Sequence, residues 1–439
     1  MTAPTLSAGD VARRCFEAGV AAVQPDRLIR ENVVLRDGTL TVGSLTFDLN
    51  TCRRIIAVGA GKASGLMAQA LEEALGGRID AGAVVVKYGH AAPCRHISIL
   101  EAAHPYPDQA GLEATRAIRR LCAEAGEGDL VFGLWSGGGS ALLADAPAGA
   151  TLDEVMRLSK ALVTSGAEIG EINAVRKHLS GVKGGQLARL AFPARLVSLM
   201  LSDVVGDPLD VIASGPTVAD PTTFAEARAV LKKYGLEADA PAALLQILKD
   251  GEAGRIPETP KPGDPALART ANRLIGCNRI ALEAAAREAR ELGYEARVVT
   301  DRLEGDTVAA AARIVGEARG GGKAACLLFG GETTLRVTGD GLGGRNQHLA
   351  LEAARLLRGT RGITLLAAGT DGTDGPTDAA GAVADGATCA EAGALGLDAE
   401  DHLRRFDAYP FFQTAGGLVK TGPTRTNVMD MVVVIVGEQ

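Results

Sequence analysis

Short apolar runs that stop at glycine, each followed by a stretch long enough for an amphipathic helix, leave this chain few folds to choose from. Residues 55–58 run into Gly59-Ala60-Gly61-Lys62-Ala63-Ser64-Gly65. Residues 83–86 form another such run, 130–134 end in Ser136-Gly137-Gly138-Gly139-Ser140, and 196–201 end in Ser202-Asp203. Buried strands alternating with helices of roughly 10–15 residues predict an α/β fold with a mostly parallel sheet covered on both faces. Upstream, Ser7 with Asp10 marks a helix start carried through Val11, Cys15 and Val20 and ended by Pro25. Asp37-Gly38 between 33–36 and 39–42 predicts a hairpin. The rhythm pauses at 251–270, where four prolines fall among few apolar residues, a linker composition. It resumes with helices over 278–292 and 307–319 and strands over 296–299, 324–329, 363–368 and 431–436. The expected organisation is therefore a first domain over 1–250, a linker over 251–270 and a second α/β domain over 271–439.

Composition excludes several classes. Of 439 residues 46% are hydrophobic but only 3% aromatic, so Ala, Leu and Val must fill the core. A net charge of -7 and the lack of any long basic stretch exclude nucleic acid as a partner. Seven scattered cysteines without a C-x-x-C pattern argue against a disulfide framework or zinc site. The N-terminal stretch beginning Met-Thr-Ala-Pro lacks an apolar leader, and no apolar run approaches the roughly 18 residues of a membrane span. The expected compartment is the cytoplasm.

Chemistry in open α/β sheets gathers where strands end. The richest stretch is 330–347, which opens Gly330-Gly331-Glu332 and closes Gly343-Gly344-Arg345-Asn346-Gln347 as a helix begins. Glycines let backbone N–H groups approach an anion, and Arg345 is placed to hold phosphate or carboxylate; a hairpin with a glycine-rich turn is the plainer reading. Gly59, Gly61 and Gly65, with Asp80 downstream, resemble a dinucleotide fingerprint, while Lys62 at the helix mouth suits phosphate transfer. It is not a P-loop, since residue 56 is Ile and residue 63 is Ala. Ser136-Gly137-Gly138-Gly139-Ser140 reads as an anion nest or a tight turn. Asn173, Arg176 and Lys177 share one helical face, with Lys183 beyond; for Lys177 alone a solvated basic face is the better reading. Asp203 suits Mg²⁺ or the capping of the next turn. Asp371, Asp374 and Asp378 crowd one loop, where carboxylates repel unless a cation or proton lies among them. Thr424 and Asn427 read as anion donors or as members of a turn. The six histidines show no metal spacing and are read as structural or surface residues.

Taken together, these segments resemble the glycerate 2-kinase family, whose C-terminal domain is of the MOFRL type. The resemblance is carried by VGAGKAS (58–64), LWSGGGSALL (134–143), INAVRKHLSGVKGGQLA (172–188), LSDVVGDPLDVIASGPT (201–217), GGETT (330–334), GGRNQ (343–347), GTDGTDGPTDAAGA (369–382) and TGPTRTNVMD (421–430). It covers nearly the whole chain, least well at about 240–270. It implies a Rossmann-like three-layer N-terminal domain, a smaller α/β C-terminal domain and an active site in the cleft between them. It further implies phosphorylation of D-glycerate by ATP with Mg²⁺ to give 2-phosphoglycerate, and an active-site set of Lys62, Asp203, Glu332, Arg345 and Asp371. Within that set, Lys62 and Arg345 are expected to clamp the transferring phosphoryl group, Asp203 and Glu332 to hold Mg²⁺, and Asp371 to orient or deprotonate the hydroxyl. The 136–140 loop, Asn173, Arg176, Lys183, Asn346 and Asn427 are the expected substrate and phosphate contacts. The chain would work as a monomer or homodimer. Competing readings are an NAD(P)H-dependent hydroxypyruvate reductase and a non-catalytic nucleotide or sugar-acid binding protein. Phosphorylation at the 2- rather than the 3-hydroxyl rests on the resemblance.

Overall fold

The computed structural model describes residues 6–320 and 324–437. The first five residues, part of the stretch read for a leader, lie outside it. The chain divides into two compact units, one built from Pro25–Ser202 and Asp207–Ile275, the other from the segment ending at Gln24, Asp203–Gly206 and the chain from Gly276 onward.

The first unit is organised by a six-stranded sheet. Its order is Ile97–Ala102, Ala81–Lys87, Ile55–Ala60, Leu130–Trp135, Arg195–Leu201 and Thr270–Gly276. The ladders joining the first five strands are parallel. The central strands Ile55–Ala60 and Leu130–Trp135 are buried along their whole length, which is why they read as unbroken apolar runs rather than alternating ones. Helix Ser64–Leu75 follows strand Ile55–Ala60, and helix Gln109–Glu124 links strand Ile97–Ala102 to Leu130–Trp135. The predicted hairpin is present and gains a third antiparallel strand, Leu45–Asp48. Its turn residues Asp37 and Gly38 take φ of 48° and 79°, the left-handed conformation a tight turn of this kind needs.

The division by contacts differs from the one in chain order. The helix Ala8–Ala22, begun as expected by Ser7 accepting from the Asp10 N–H at 3.1 Å, belongs with the second unit. Strand Thr270–Gly276 completes the first unit's sheet. The proline-rich 251–270 stretch is tied to the first unit: Thr259 Oγ1 donates to Asp220 at 2.9 Å, and Arg189 reaches Glu258 O at 2.9 Å and Asp264 at 3.0 Å.

The second unit also holds a six-stranded sheet, ordered Glu295–Leu303, Ala325–Gly331, Asp430–Val436, Ile363–Gly369, Gly381–Asp385 and Leu418–Val419. Only its first pair is parallel; the others run antiparallel. Asp430–Val436 lies in the interior of the sheet and is buried at every residue. Helix Ala8–Ala22 sits close on this sheet because residue 19 is Gly: a Cβ there would meet the Met431 Sδ at 2.9 Å. Among the described residues no helix is long and apolar enough to cross a membrane.

Candidate active site

In the first unit, the loops after strands Ile55–Ala60 and Leu130–Trp135 are bonded to each other. The Lys62 N–H donates to Gly137 O at 2.9 Å, and Ser136 Oγ accepts from the Ala63 N–H at 3.1 Å and pairs with Ser64 Oγ at 2.9 Å. Ser136, fully buried, is thus turned into the protein. The glycine spacing that suggested a dinucleotide has another cause. A Cβ at Gly59 would meet Leu134 O at 2.5 Å, and one at Gly65 would meet His90 O at 2.9 Å. Gly61, at φ 142°, faces Ser136. The Lys62 and Ala63 amides at the helix start are spent on Gly137 and Ser136, and Asp80, expected at a ribose, accepts from the Ile55 N–H at 2.7 Å. Ser140 pairs with Ser214 Oγ at 2.7 Å. Burial, then the charges of Lys62, Lys87 and His90, pushes His104 down to about 4, so its imidazole is neutral near pH 7.

Helix Ile169–His178 carries the predicted polar face, and the structure separates its members. Arg176 Nε and Nη2 reach Ser159 Oγ at 3.0 and 2.7 Å, and burial lowers the guanidinium's pKa. Among the described residues no carboxylate forms an ion pair with it. Asn173 is buried and accepts weakly from Ser214 Oγ at 3.5 Å. Lys183 is buried with Nζ on Leu143 O at 2.6 Å and Asp145 at 3.5 Å, and burial lowers its pKa. Lys177 corrects the sequence reading. It is 2% exposed and paired with Asp210 at 2.9 Å and Asp220 at 3.4 Å, so it is a buried ion-pair centre rather than part of a solvated face. The helical period showed which residues share a face but not that segment 207–222 covers it.

The second unit holds the other charged group. Arg345 is the first residue of helix Arg345–Leu357. Its Nε and Nη2 bind the two oxygens of Asp430 at 2.6 and 3.0 Å, and Nη1 lies 2.7 Å from Glu332. Burial opposes the charge, yet the bonds to Asp430 and the nearby Glu332 raise the Arg345 pKa and keep it cationic. Glu332 sits at the end of strand Ala325–Gly331, and partial burial, then the Asp430 and Asp203 carboxylates, raise its pKa against the pull of Arg345. Asp203, expected in the first domain, belongs by contacts to this unit. Asp430 was not singled out from the sequence. Its signal was modest: an acid opening a wholly apolar strand.

The three aspartates of the 369–378 loop do not form one cluster. Asp371 accepts from the Thr373 N–H and Oγ1 at 3.0 and 3.1 Å. It lies near Asp430: the Asp371 and Asp430 Oδ1 atoms would be 3.3 and 3.5 Å from a Cβ on Gly369. Asp378 points away to Lys420 at 2.9 Å and Tyr409 at 2.6 Å. Asp374 is buried over the start of the Arg345 helix, accepting from the Asn346 and Gln347 N–H groups at 3.1 and 2.8 Å. Asn346 also spends its side chain there, at 3.3 Å. Gly344 is required because a side chain would strike the Asp374 carboxyl. Asn427 caps its own turn, accepting from the Met429 N–H at 2.9 Å.

Burial pushes Asp374 up to about 6 from 3.8, despite the N–H donors. A carboxyl raised by folding contributes stability that is full below 3.8 and lost as pH rises through about 6. Urea unfolding at pH 5 and pH 7 is expected to show this loss in the native sequence and a flatter dependence in Asp374→Asn. An identical pH dependence in both proteins would remove Asp374 as its source.

Family models match a domain of unknown function, DUF4147, over residues 11–249 and the MOFRL family over 325–430. The chain is 43% identical to a D-glycerate 2-kinase of Thermotoga maritima, covering 94% of this chain and 95% of that protein. It is 38% identical to a glycerate 2-kinase of Pyrococcus horikoshii, covering 97% of each. A protein of Agrobacterium vitis named a putative hydroxypyruvate reductase is 41% identical over 100% of this chain and 96% of that one. The crystal structure of a Thermotoga maritima glycerate kinase superposes with a TM-score of 0.87 at 40% identity, covering 98% of this chain and 99% of that one. The two-unit α/β architecture and these full-length relationships place the chain in the glycerate 2-kinase family, with a MOFRL C-terminal domain.

Proposed function

We propose that this chain transfers the terminal phosphoryl group of ATP to the 2-hydroxyl of D-glycerate, releasing ADP and 2-phosphoglycerate. The observation that carries the chemistry is Arg345, fixed by Asp430 and Glu332 at a helix start. Phosphoryl transfer needs placed positive charge more than covalent help. With Nε and Nη2 on Asp430 and Nη1 on Glu332, the guanidinium still keeps one N–H on each Nη over for a phosphoryl oxygen. Lys62 is the second cation of the reaction. Asp371 orients the substrate hydroxyl and accepts its proton through the carboxylate oxygen that Thr373 does not occupy.

Asp203 and Glu332 would hold Mg²⁺. The fit rests on the donor set: both are carboxylates, the hard oxygen ligands this ion takes. Burial first, then the Asp430 and Asp203 carboxylates, raises the Glu332 pKa, which a nearby divalent ion would oppose. Among the described residues no cluster of three or more ligating side chains occurs. That suits an ion that takes one or two carboxylates and completes its shell with water and phosphate. When bound, it supplies charge neutralisation on the nucleotide phosphates. The enzyme would work in the cytoplasm, where ATP is at hand.

The reductase reading loses its main support with the spent loop amides and the committed Asp80. The test is purified protein with D-glycerate and Mg·ATP, scored for ADP and for the phosphoglycerate isomer. ADP and 2-phosphoglycerate are expected. No ADP, with NADH consumed on addition of hydroxypyruvate, would overturn the kinase reading.

A further inference from the structure

We infer that the cavity of about 470 Å³ beside Arg176 in the first unit is the nucleotide site, with adenine against helix Leu152–Thr164 and the phosphates toward Arg176 and Lys62. The inference rests on the kinase reading above and adds which loops take which substrate. The cavity is too large and too apolar for glycerate. Its wall is built largely from Leu152, Val155, Met156, Leu162 and Val163. Glycerate carries a polar group on every carbon and gains nothing from such a surface, whereas a purine has broad apolar faces. Tyr106 lines the same cavity and is 68% exposed, which puts a ring at its mouth where a base can stack.

The charged end is equally selective. Arg176 and Lys183 both line the cavity, but Lys183 is committed to Leu143 O and Asp145. Arg176 is bonded to a hydroxyl only, so its charge is available to an anion. Gly138 lies on the wall, and a Cβ there would be 3.4 Å from Lys62 Cγ. Lys62 therefore lies close to Gly138, as does His104, which lines the cavity too. An apolar slot that reaches the Arg176 guanidinium, with Lys62 close to its Gly138 wall, matches a nucleoside polyphosphate better than a small hydroxy acid.

The test is titration calorimetry of the full chain with Mg²⁺ and adenylyl imidodiphosphate, alongside steady-state kinetics. Met156→Trp narrows the slot, and Val163→Trp does so from a wall residue that is 57% exposed, so it answers the question should the first variant fail to fold. Each is expected to weaken the analogue by about tenfold or more while the KM for D-glycerate stays within about twofold. Arg176→Met is expected to weaken the analogue but not adenosine. Folded variants that bind the analogue like the native protein, or that change only the KM for D-glycerate, overturn the assignment. A native protein that binds no nucleotide at all brings down the kinase reading itself.

Discussion

Arg345→Ala is expected to lower kcat by about 10³-fold or more, the scale on which phosphoryl transfer depends on a cation placed for its transition state. The side chain does two things that alanine cannot: it carries charge, and it spans Asp430 and Glu332. Its loss strands Asp430, 5% exposed, so the melting temperature should fall as well. Arg345→Lys separates the effects. Lysine restores charge beside Asp430 and most of the stability, but it cannot reproduce the planar two-edged contact, so turnover should remain well below native. Measured kcat alongside thermal melts distinguishes the outcomes. Near-native turnover in folded Arg345→Ala would take Arg345 out of the reaction.

Lys177→Met is expected to have the largest effect on stability. It leaves Asp220, whose side chain is fully buried, facing Asp210 with no ammonium between them. Removing one partner of a buried pair costs about 3–5 kcal/mol, since the charge left behind keeps its desolvation penalty. Asp220 retains the Thr222 and Thr259 hydroxyls at 2.8 and 2.9 Å, which soften the loss without cancelling the charge. Lys177→Met combined with Asp220→Asn should recover part of it, because no buried carboxylate is then unpaired. Urea unfolding of the variants against the native chain gives the numbers. A loss below about 1 kcal/mol would put Lys177 back on a solvated face, where exposed pairs contribute that little.

Lys177 and Arg345 also mark how far sequence carries. Both stand on helices whose periods were readable, because an apolar stripe is a local property of the chain. The strands were readable too, since burial on both faces leaves runs such as 130–134 and 431–436 almost without polar residues. What covers each side chain depends on pairings far apart in sequence. Leu327 and Leu365 both pair with Val434, which sets strand Asp430–Val436 between two others and brings Asp430 beside Gly331 and Gly369. Only then does Asp430 meet Arg345, 85 residues away. The carboxylates of the 369–378 loop show the converse: sequence places them together, whereas hydrogen bonding sends Asp374 to a helix start and Asp378 to Lys420. The glycines of the 59–65 loop were misleading for the same reason, since a pattern cannot say whether the missing side chains make room for a ligand or for Leu134 and Ser136.

The position of strand Asp430–Val436 also bears on how the chain is made. It is an interior strand of its sheet, and helix Ala8–Ala22 packs against it, with Thr426 Oγ1 donating to Val23 O at 2.6 Å just upstream. During synthesis the 25–275 unit can assemble soon after its last strand, Thr270–Gly276, leaves the ribosome. Helix Ala8–Ala22 can meet helix Asn278–Glu291 earlier, but it has no finished sheet to dock on until residues made after every other described element have appeared. Strands Ala325–Gly331 and Ile363–Gly369 meanwhile carry open edges that only Asp430–Val436 can close. At bacterial-like translation rates of about 5–20 residues per second, this leaves an apolar helix and unpaired edges waiting for many seconds, a window for chaperone capture or aggregation that the finished molecule no longer shows.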